Sequence, residues 1–276
     1  GKYIKNMKIK ILVFNALEGF YYKGKDGVYN HDKKRQGYAQ ELIKKEKPDV
    51  LILTEANFCI KSPQKPIQNY SRIFGYKHGI FGSDWDWGVG VLSRYPIVEA
   101  YDYTTKHSRF VRAIINVKGK KIMIDGVHPD PYHNEHQRMQ WFKTVIRDRK
   151  NPYIIAGDFN AFSPEDRYNK EKLIVGFEAD LKPEERHKAR YIVNDILTGK
   201  SIWILLKNKL TDTFKIKNKK WDYSYHTSLN GNNPNHSRID YIFCSKDFKV
   251  IESGIIKNEL AEKASDHYPI YAILEI

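Results

Sequence analysis

The sequence has little cysteine: 2 residues in 276, Cys59 and Cys244. One disulfide is the most these can form, which excludes a disulfide-rich scaffold, and no zinc-like ligand cluster accompanies them. Cys244 follows the apolar run Ile239–Phe243, so a small buried residue is expected there and a nucleophile is not. No stretch of about 18 apolar residues occurs, and the signature of a membrane-spanning helix is therefore missing. Residues Gly1 to Lys10 are basic and lack the apolar core of a secretory signal. Gly1 stands where an initiator is expected, so a processed start leaves secretion open beside the expected intracellular setting. Low-complexity linkers are also absent, and one domain over residues 1–276 is expected. Acidic residues are in deficit, 33 against 47 lysines and arginines, for a formal charge of +14. Such an excess attracts phosphate-rich partners, although a general bias toward asparagine, lysine and isoleucine gives the same sum.

What is present is a globular balance, 41% hydrophobic and 29% charged, with 19 tyrosines. Lys8 to Phe14 reads as a strand, and Glu18 to Asn30, rich in Gly, Tyr and Lys, as an irregular connection. Lys33 to Lys47 carries an apolar stripe of Tyr38, Ala39, Leu42 and Ile43 at helical spacing, ended by Pro48. The following Val50 to Leu53 is continuously apolar, as in a strand buried on both faces, and it delivers Glu55. Strand, helix, strand in this order predicts an α/β fold. Further strands are expected at Val89–Ser93, Phe110–Val117, Lys121–Val127, Tyr153–Ala156, Ile239–Phe243 and Ile270–Ile276, with a helix over Glu135–Arg147. Residues 163–210 contain further helical patterns and read either as an outer-layer insertion or as a helical element beside the cleft, with the outer layer preferred.

Polar or charged groups stand beside several of these apolar runs: FNA at Phe14–Ala16, LTEAN at Leu53–Asn57, GVHPD at Gly126–Asp130, AGDFNAF at Ala156–Phe162, SRIDYIF at Ser237–Phe243 and SDHYPI at Ser265–Ile270. Any one alone is an ordinary turn former. Brought together, they supply carboxylate and amide oxygens for a hard cation, and imidazoles for the attacking and leaving oxygens of phosphoryl transfer. Asp158 and Asn160, two residues apart, face the same way if the chain is extended there.

The ordered set FNA, LTEAN, GVGVLSRYPI, VH, GDFNA, SRIDYIF and SDHYPI resembles the endonuclease/exonuclease/phosphatase superfamily, the deoxyribonuclease-I-like metallohydrolases, from Asn15 to Ile270. The resemblance implies a four-layered α/β sandwich, two facing mixed β-sheets under outer helices. It implies Mg²⁺ or Mn²⁺ held by Glu55, with Asn15 and Asp266 at the metal site. It further implies Asp158 activating water, Asn160 orienting phosphate or nucleophile, and His267 beside the phosphate with its tautomer fixed by Asp240. His128 matches the other catalytic histidine, expected to protonate the leaving oxygen or stabilise the transition state. Arg109 matches a basic phosphate contact. Arg94 and Arg238 read as framework braces, and His133 and His136 as loop and helix-start residues.

The substrate is less determined. Trp85 and Trp87 can stack on bases or grip an apolar group, and Tyr223, Tyr225 and His226 share that ambiguity. Lys200, Lys207, Lys209, Lys215, Lys217, Lys219 and Lys220, against the single acid Asp212, form either a backbone-binding run or a solvated loop. A nuclease of DNA or RNA acting as a monomer is the preferred expectation. The alternatives are a hydrolase of small phosphomonoesters, inositol phosphates or phospholipid headgroups, and an inactive binding module. TEAN at Thr54–Asn57 and His128 depart from the abasic-site endonuclease pattern.

Overall fold

The computed structural model describes residues 7–56, 71–82, 87–105, 108–231 and 233–276. Its strands are β1 (Lys8–Asn15), β2 (Tyr21–Lys23), β3 (Tyr29–His31), β4 (Val50–Thr54), β5 (His78–Phe81), β6 (Gly90–Ser93), β7 (Ile97–Asp102), β8 (Phe110–Val117), β9 (Lys120–Val127), β10 (Tyr153–Asp158), β11 (Thr211–Asp212), β12 (Asp240–Cys244), β13 (Lys249–Ile255) and β14 (Ile270–Glu275). Two six-stranded sheets form, in the orders β13-β14-β1-β4-β6-β5 and β11-β12-β10-β9-β8-β7. Both are mixed: β1 runs parallel to β4 and β10 parallel to β9, and the other pairs are antiparallel.

The alternation along each central strand sets the layers. In β1, Ile9, Ile11 and Val13 meet Val111, Ile124, Ile154 and Ile242 of the opposite sheet. Leu12 and Phe14 point the other way, onto Leu42 and Ile43 of the Lys33–Glu46 helix. In β10, Ile154 and Ala156 enter the inter-sheet core, while Tyr153 and Ile155 pack with Phe142 and Val145 of the Glu135–Arg147 helix. Burial on both faces is why these strands read as continuous apolar runs. Helix, sheet, sheet, helix is the expected four-layered sandwich. Cys244 is buried in the inter-sheet core; Cys59 lies outside the described residues.

Several elements differ from expectation. Residues Glu18 to Asn30 include β2 and β3, an antiparallel pair hidden by polar composition. The stretch 163–210 divides in two. The Lys200–Lys207 helix buries Ile202 and Leu205 against the outer face of the second sheet. The Lys170–Asp180 and Ala189–Ile196 helices contribute Phe177, Asp180 and Ile196 to the wall of the cleft described below.

One buried ion pair ties the second sheet to its helix. Arg112 donates from Nε and Nη2 to Asp125, 2.7 Å each, and from Nη2 to the Val145 carbonyl at 2.8 Å. The Tyr153 hydroxyl adds a 2.6 Å bond to Asp125 Oδ2. Removing one partner strands the other's charge in the interior, which costs several kcal/mol. Arg112→Met is expected to lower urea-measured stability by about 3–5 kcal/mol; a loss below about 1 kcal/mol would show that the pair does not brace this layer.

Candidate active site

Parallel pairing sets Asn15 opposite Thr54, so the next residue, Glu55, emerges beside it at the end of the first sheet. Glu55 adopts a positive φ of 49°, turning the chain out of β4. In the second sheet, antiparallel register places Asp158 directly across from Asp240. Gly157, one residue before, has φ of 152°, and a Cβ there would lie 1.9 Å from the Val127 carbonyl oxygen. Only glycine therefore lets β10 approach β9 at the rim where Asp158 emerges.

The two sheet ends meet through Asn15. Its Nδ2 donates to Glu55 Oε1 at 3.1 Å and to Asp158 Oδ2 at 3.2 Å. Around Asp158 Oδ2, His128 Nε2 stands at 3.7 Å and His267 Nε2 at 3.8 Å. Asp240 Oδ2 accepts from His267 Nδ1 at 2.8 Å, fixing which nitrogen faces the cleft. Asp240 is itself positioned by its backbone N–H, which donates to Ser224 Oγ at 3.2 Å.

The environment separates the two imidazoles. The Trp87 carbonyl accepts from His128 Nδ1 at 3.1 Å, leaving Nε2 with its lone pair. Burial, with the Arg109 and His267 charges, lowers His128 to about 4, so it is neutral near pH 7. Burial also opposes charge on His267, but Asp240, Asp158 and Asp266 outweigh it and raise that group well above its ordinary value. The carboxyls are pushed the other way. Burial and then the Asp266 charge raise Glu55 to about 7; burial and then Asp240 raise Asp158 to about 8. His128 is thus held neutral near pH 7 with Nε2 toward Asp158, whereas His267 is held charged.

Two groups of side chains can hold a metal ion: Glu55, His128 and Asp158, and Asp158, Asp240 and His267, each with ligand atoms within 4.8 Å of one another. Asp158 belongs to both. The donor set suits a hard divalent cation such as Mg²⁺ or Mn²⁺, and Asp240 Oδ1 is buried with no hydrogen-bond partner among the described residues. Carboxyls raised by burial and by neighbouring negative charge are what a divalent cation relieves.

A cleft of about 280 Å³ opens on this centre. Glu55, His128, Asp158, Asn160, Asp266, His267 and Trp87 line it, as the sequence predicts. Asp266 is near enough to raise Glu55 but belongs to neither ligand group; its oxygens accept from Ser265 Oγ and Asn230 Nδ2. Asn160 is not extended: with φ of 47° it turns its backbone N–H onto Asp158 Oδ1 at 2.9 Å, and its Nδ2 donates to the Pro129 carbonyl. Arg109 does not line the cleft; it is buried, its guanidinium 5.2 Å over the Trp87 ring. Trp85 lies outside the described residues. None of the seven lysines between Lys200 and Lys220 lines the cleft, nor do His133 and His136. Arg94 bonds the Pro48 carbonyl, and Arg238 is buried between Asp166 and Asp212, both as framework braces.

Part of the cleft wall is not legible in the sequence. Phe162, Phe177, Ile196 and Ile239 form its apolar part, with Asp180 and Asn235 as polar members. Phe162 and Ile239 stand in the AGDFNAF and SRIDYIF motifs and Tyr225 among the aromatics noted in the sequence, but Phe177, Asp180, Ile196 and Asn235 stand in no motif.

A sequence model of the Endonuclease/Exonuclease/phosphatase family matches residues 12–267. No curated protein matches the sequence. Among solved structures, an endonuclease/exonuclease/phosphatase from Bacteroides vulgatus superposes with a TM-score of 0.67 at 17% identity, over 98% of this chain and 99% of that one. An AP endonuclease from Archaeoglobus fulgidus gives 0.61 at 19% identity, over 96% and 98%. A 3′ phosphatase from Neisseria, bound to product DNA hairpin, gives 0.62 at 18%, over 96% and 98%. At these identities the likeness is one of fold.

Metal binding to the folded chain alone raises its apparent stability, by about 2.7 kcal/mol when the ion is at 100 times its Kd. Titrating Mn²⁺ is expected to raise the melting temperature of the wild type and to do so much less in Glu55→Gln. Equal shifts in both proteins would remove Glu55 from the metal site.

Proposed function

Since the chain belongs to the endonuclease/exonuclease/phosphatase family, we propose that it is a divalent-metal-dependent nuclease, cleaving phosphodiester bonds of DNA or RNA by direct attack of water. Family membership and the two ligand groups support the coarser statement, a metal-dependent phosphoesterase mechanism. The observation that carries the reading is the meeting of Glu55, His128, Asp158 and His267 in one cleft.

Glu55 holds the cation, with Asn15 bridging it to Asp158. The cation, when bound, withdraws charge from the phosphoryl oxygens as a Lewis acid. Asp158, raised by burial and by Asp240 and ionised where a cation would offset that cost, orients the attacking water and receives its proton. His128, neutral and with Nε2 free of a proton, adds a second acceptor at the same oxygen of Asp158. His267, kept charged by Asp240, donates from Nε2 to the leaving oxygen or a phosphoryl oxygen.

The polynucleotide substrate is supported by the +14 charge and by the DNA-bound relative. Because no lysine or arginine is among the described residues lining the cleft, the charge acts at a distance, concentrating anionic substrate rather than gripping it. A second reading, hydrolysis of small phosphoesters or phospholipid headgroups, is favoured by the small size of the cleft. No helix among the described residues is long and apolar enough to cross a membrane.

With Mg²⁺ or Mn²⁺, the protein is expected to cut oligonucleotides, and chelation to abolish cutting. Asp158→Asn and His267→Ala should each lower kcat about 100-fold or more, the usual contribution of a positioned acid or base. Cleavage should weaken as salt rises, because phosphate attraction is screened. Protein that leaves every DNA and RNA intact while hydrolysing small phosphoesters would replace the first reading by the second.

A further inference from the structure

Asn235 is 4% exposed and lines the cleft together with its partner Asp180. Its Nδ2 donates to Asp180 Oδ2 at 3.1 Å, which fixes the orientation of the amide. The remaining atom, Oδ1, is buried and has no hydrogen-bond partner among the described residues. A buried acceptor left unmade costs about 1–3 kcal/mol, so a group retained in this condition at a cleft wall marks where a ligand's donor belongs.

The surroundings hold that acceptor in place. Asn233 also donates to Asp180, and the Asn235 backbone N–H donates to Asn233 Oδ1 at 2.8 Å. Gly176, in the Lys170–Asp180 helix, lets the loop close onto the helix: a Cβ there would lie 2.4 Å from Asn235 Cβ. Phe162, Phe177, Ile196 and Ile239 make the same wall apolar, and no lysine or arginine among the described residues joins them. A second phosphate is therefore poorly served here, whereas an uncharged group with an apolar body and an N–H or O–H donor is well served.

We infer that Asn235, oriented by Asp180 and flanked by Phe177 and Ile196, forms a subsite for the uncharged, hydrogen-bond-donating moiety beside the scissile phosphate, the terminal nucleoside of a polynucleotide. The inference rests on the nuclease reading above for the identity of that moiety. It makes the enzyme act at chain ends, where a nucleoside is free to enter the cleft. Asp180 and Asn235 are specificity and positioning residues, remote from the phosphoryl chemistry.

Binding separates this from catalysis. In the presence of Mg²⁺, calorimetry would compare the 5′-phosphonate analogue of deoxyadenosine monophosphate with methylphosphonate, which offers the same headgroup without a nucleoside. Wild type should bind the nucleoside phosphonate more tightly. Asn235→Ala should weaken that probe about threefold to tenfold, as expected for one neutral hydrogen bond, and leave methylphosphonate unchanged. Phe177→Trp, which alters the apolar wall while keeping Asn235 itself, should show the same selectivity and guards against a misfolded first variant. Equal affinity of wild type for both probes, or parallel weakening of both in the variants, would overturn the subsite. Failure of the nuclease reading shows separately, as intact oligonucleotides.

Discussion

Negative charge gathered where two sheets end is the constraint on which the rest of this structure depends. Asp158 and Asp240 face each other across one register position, and Glu55 is joined to Asp158 by a single asparagine. Burial raises Glu55 and Asp158 first, and then the Asp266 charge raises Glu55 while the Asp240 and Glu55 charges raise Asp158. Among the described residues lining the cleft, His267, held by Asp240, is the imidazole kept charged and offsets part of this. That shortfall in positive charge defines what the cleft accepts: a small hard cation first, then a phosphorus centre whose oxygens share it.

The scaffold serves this arrangement through backbone geometry rather than through charge. Parallel pairing of β1 with β4 aligns Asn15 and Glu55, and Gly157 lets β10 close on β9 as Asp158 emerges. No lysine or arginine among the described residues lines the cleft. Part of the wall comes from the Lys170–Asp180 and Ala189–Ile196 helices, which add Phe177, Asp180 and Ile196 beside Phe162, Tyr225, Asn235 and Ile239. The carboxylates and these apolar side chains line one cleft and come from different parts of the chain.

Legibility in the sequence follows burial. The eight anticipated strands, β1, β4, β6, β8, β9, β10, β12 and β14, are the interior strands of the two sheets, whereas β5, β7, β11 and β13, the four edges, went unread. Interior strands are buried on both faces and leave apolar runs; β7, with five of its six residues exposed, leaves none. The carboxylates and histidines were legible because each stands in a short motif at a strand end. Asn160 was read as extended, but the local bond from its N–H to Asp158 turned it into a left-handed residue. Arg109 carried a charge suggestive of phosphate, yet its location behind Trp87 is a tertiary fact. Asp180 and Asn235 meet across 55 residues, and no local pattern announces such a pair.

The central claim is that the paired sheet ends form one cation site. Anomalous diffraction from crystals soaked in Mn²⁺ tests it most directly. The account predicts density between the Glu55 and Asp158 carboxylates, lost when Glu55 is replaced by glutamine. An ion bound elsewhere, with those two carboxylates left uncoordinated, would contradict it.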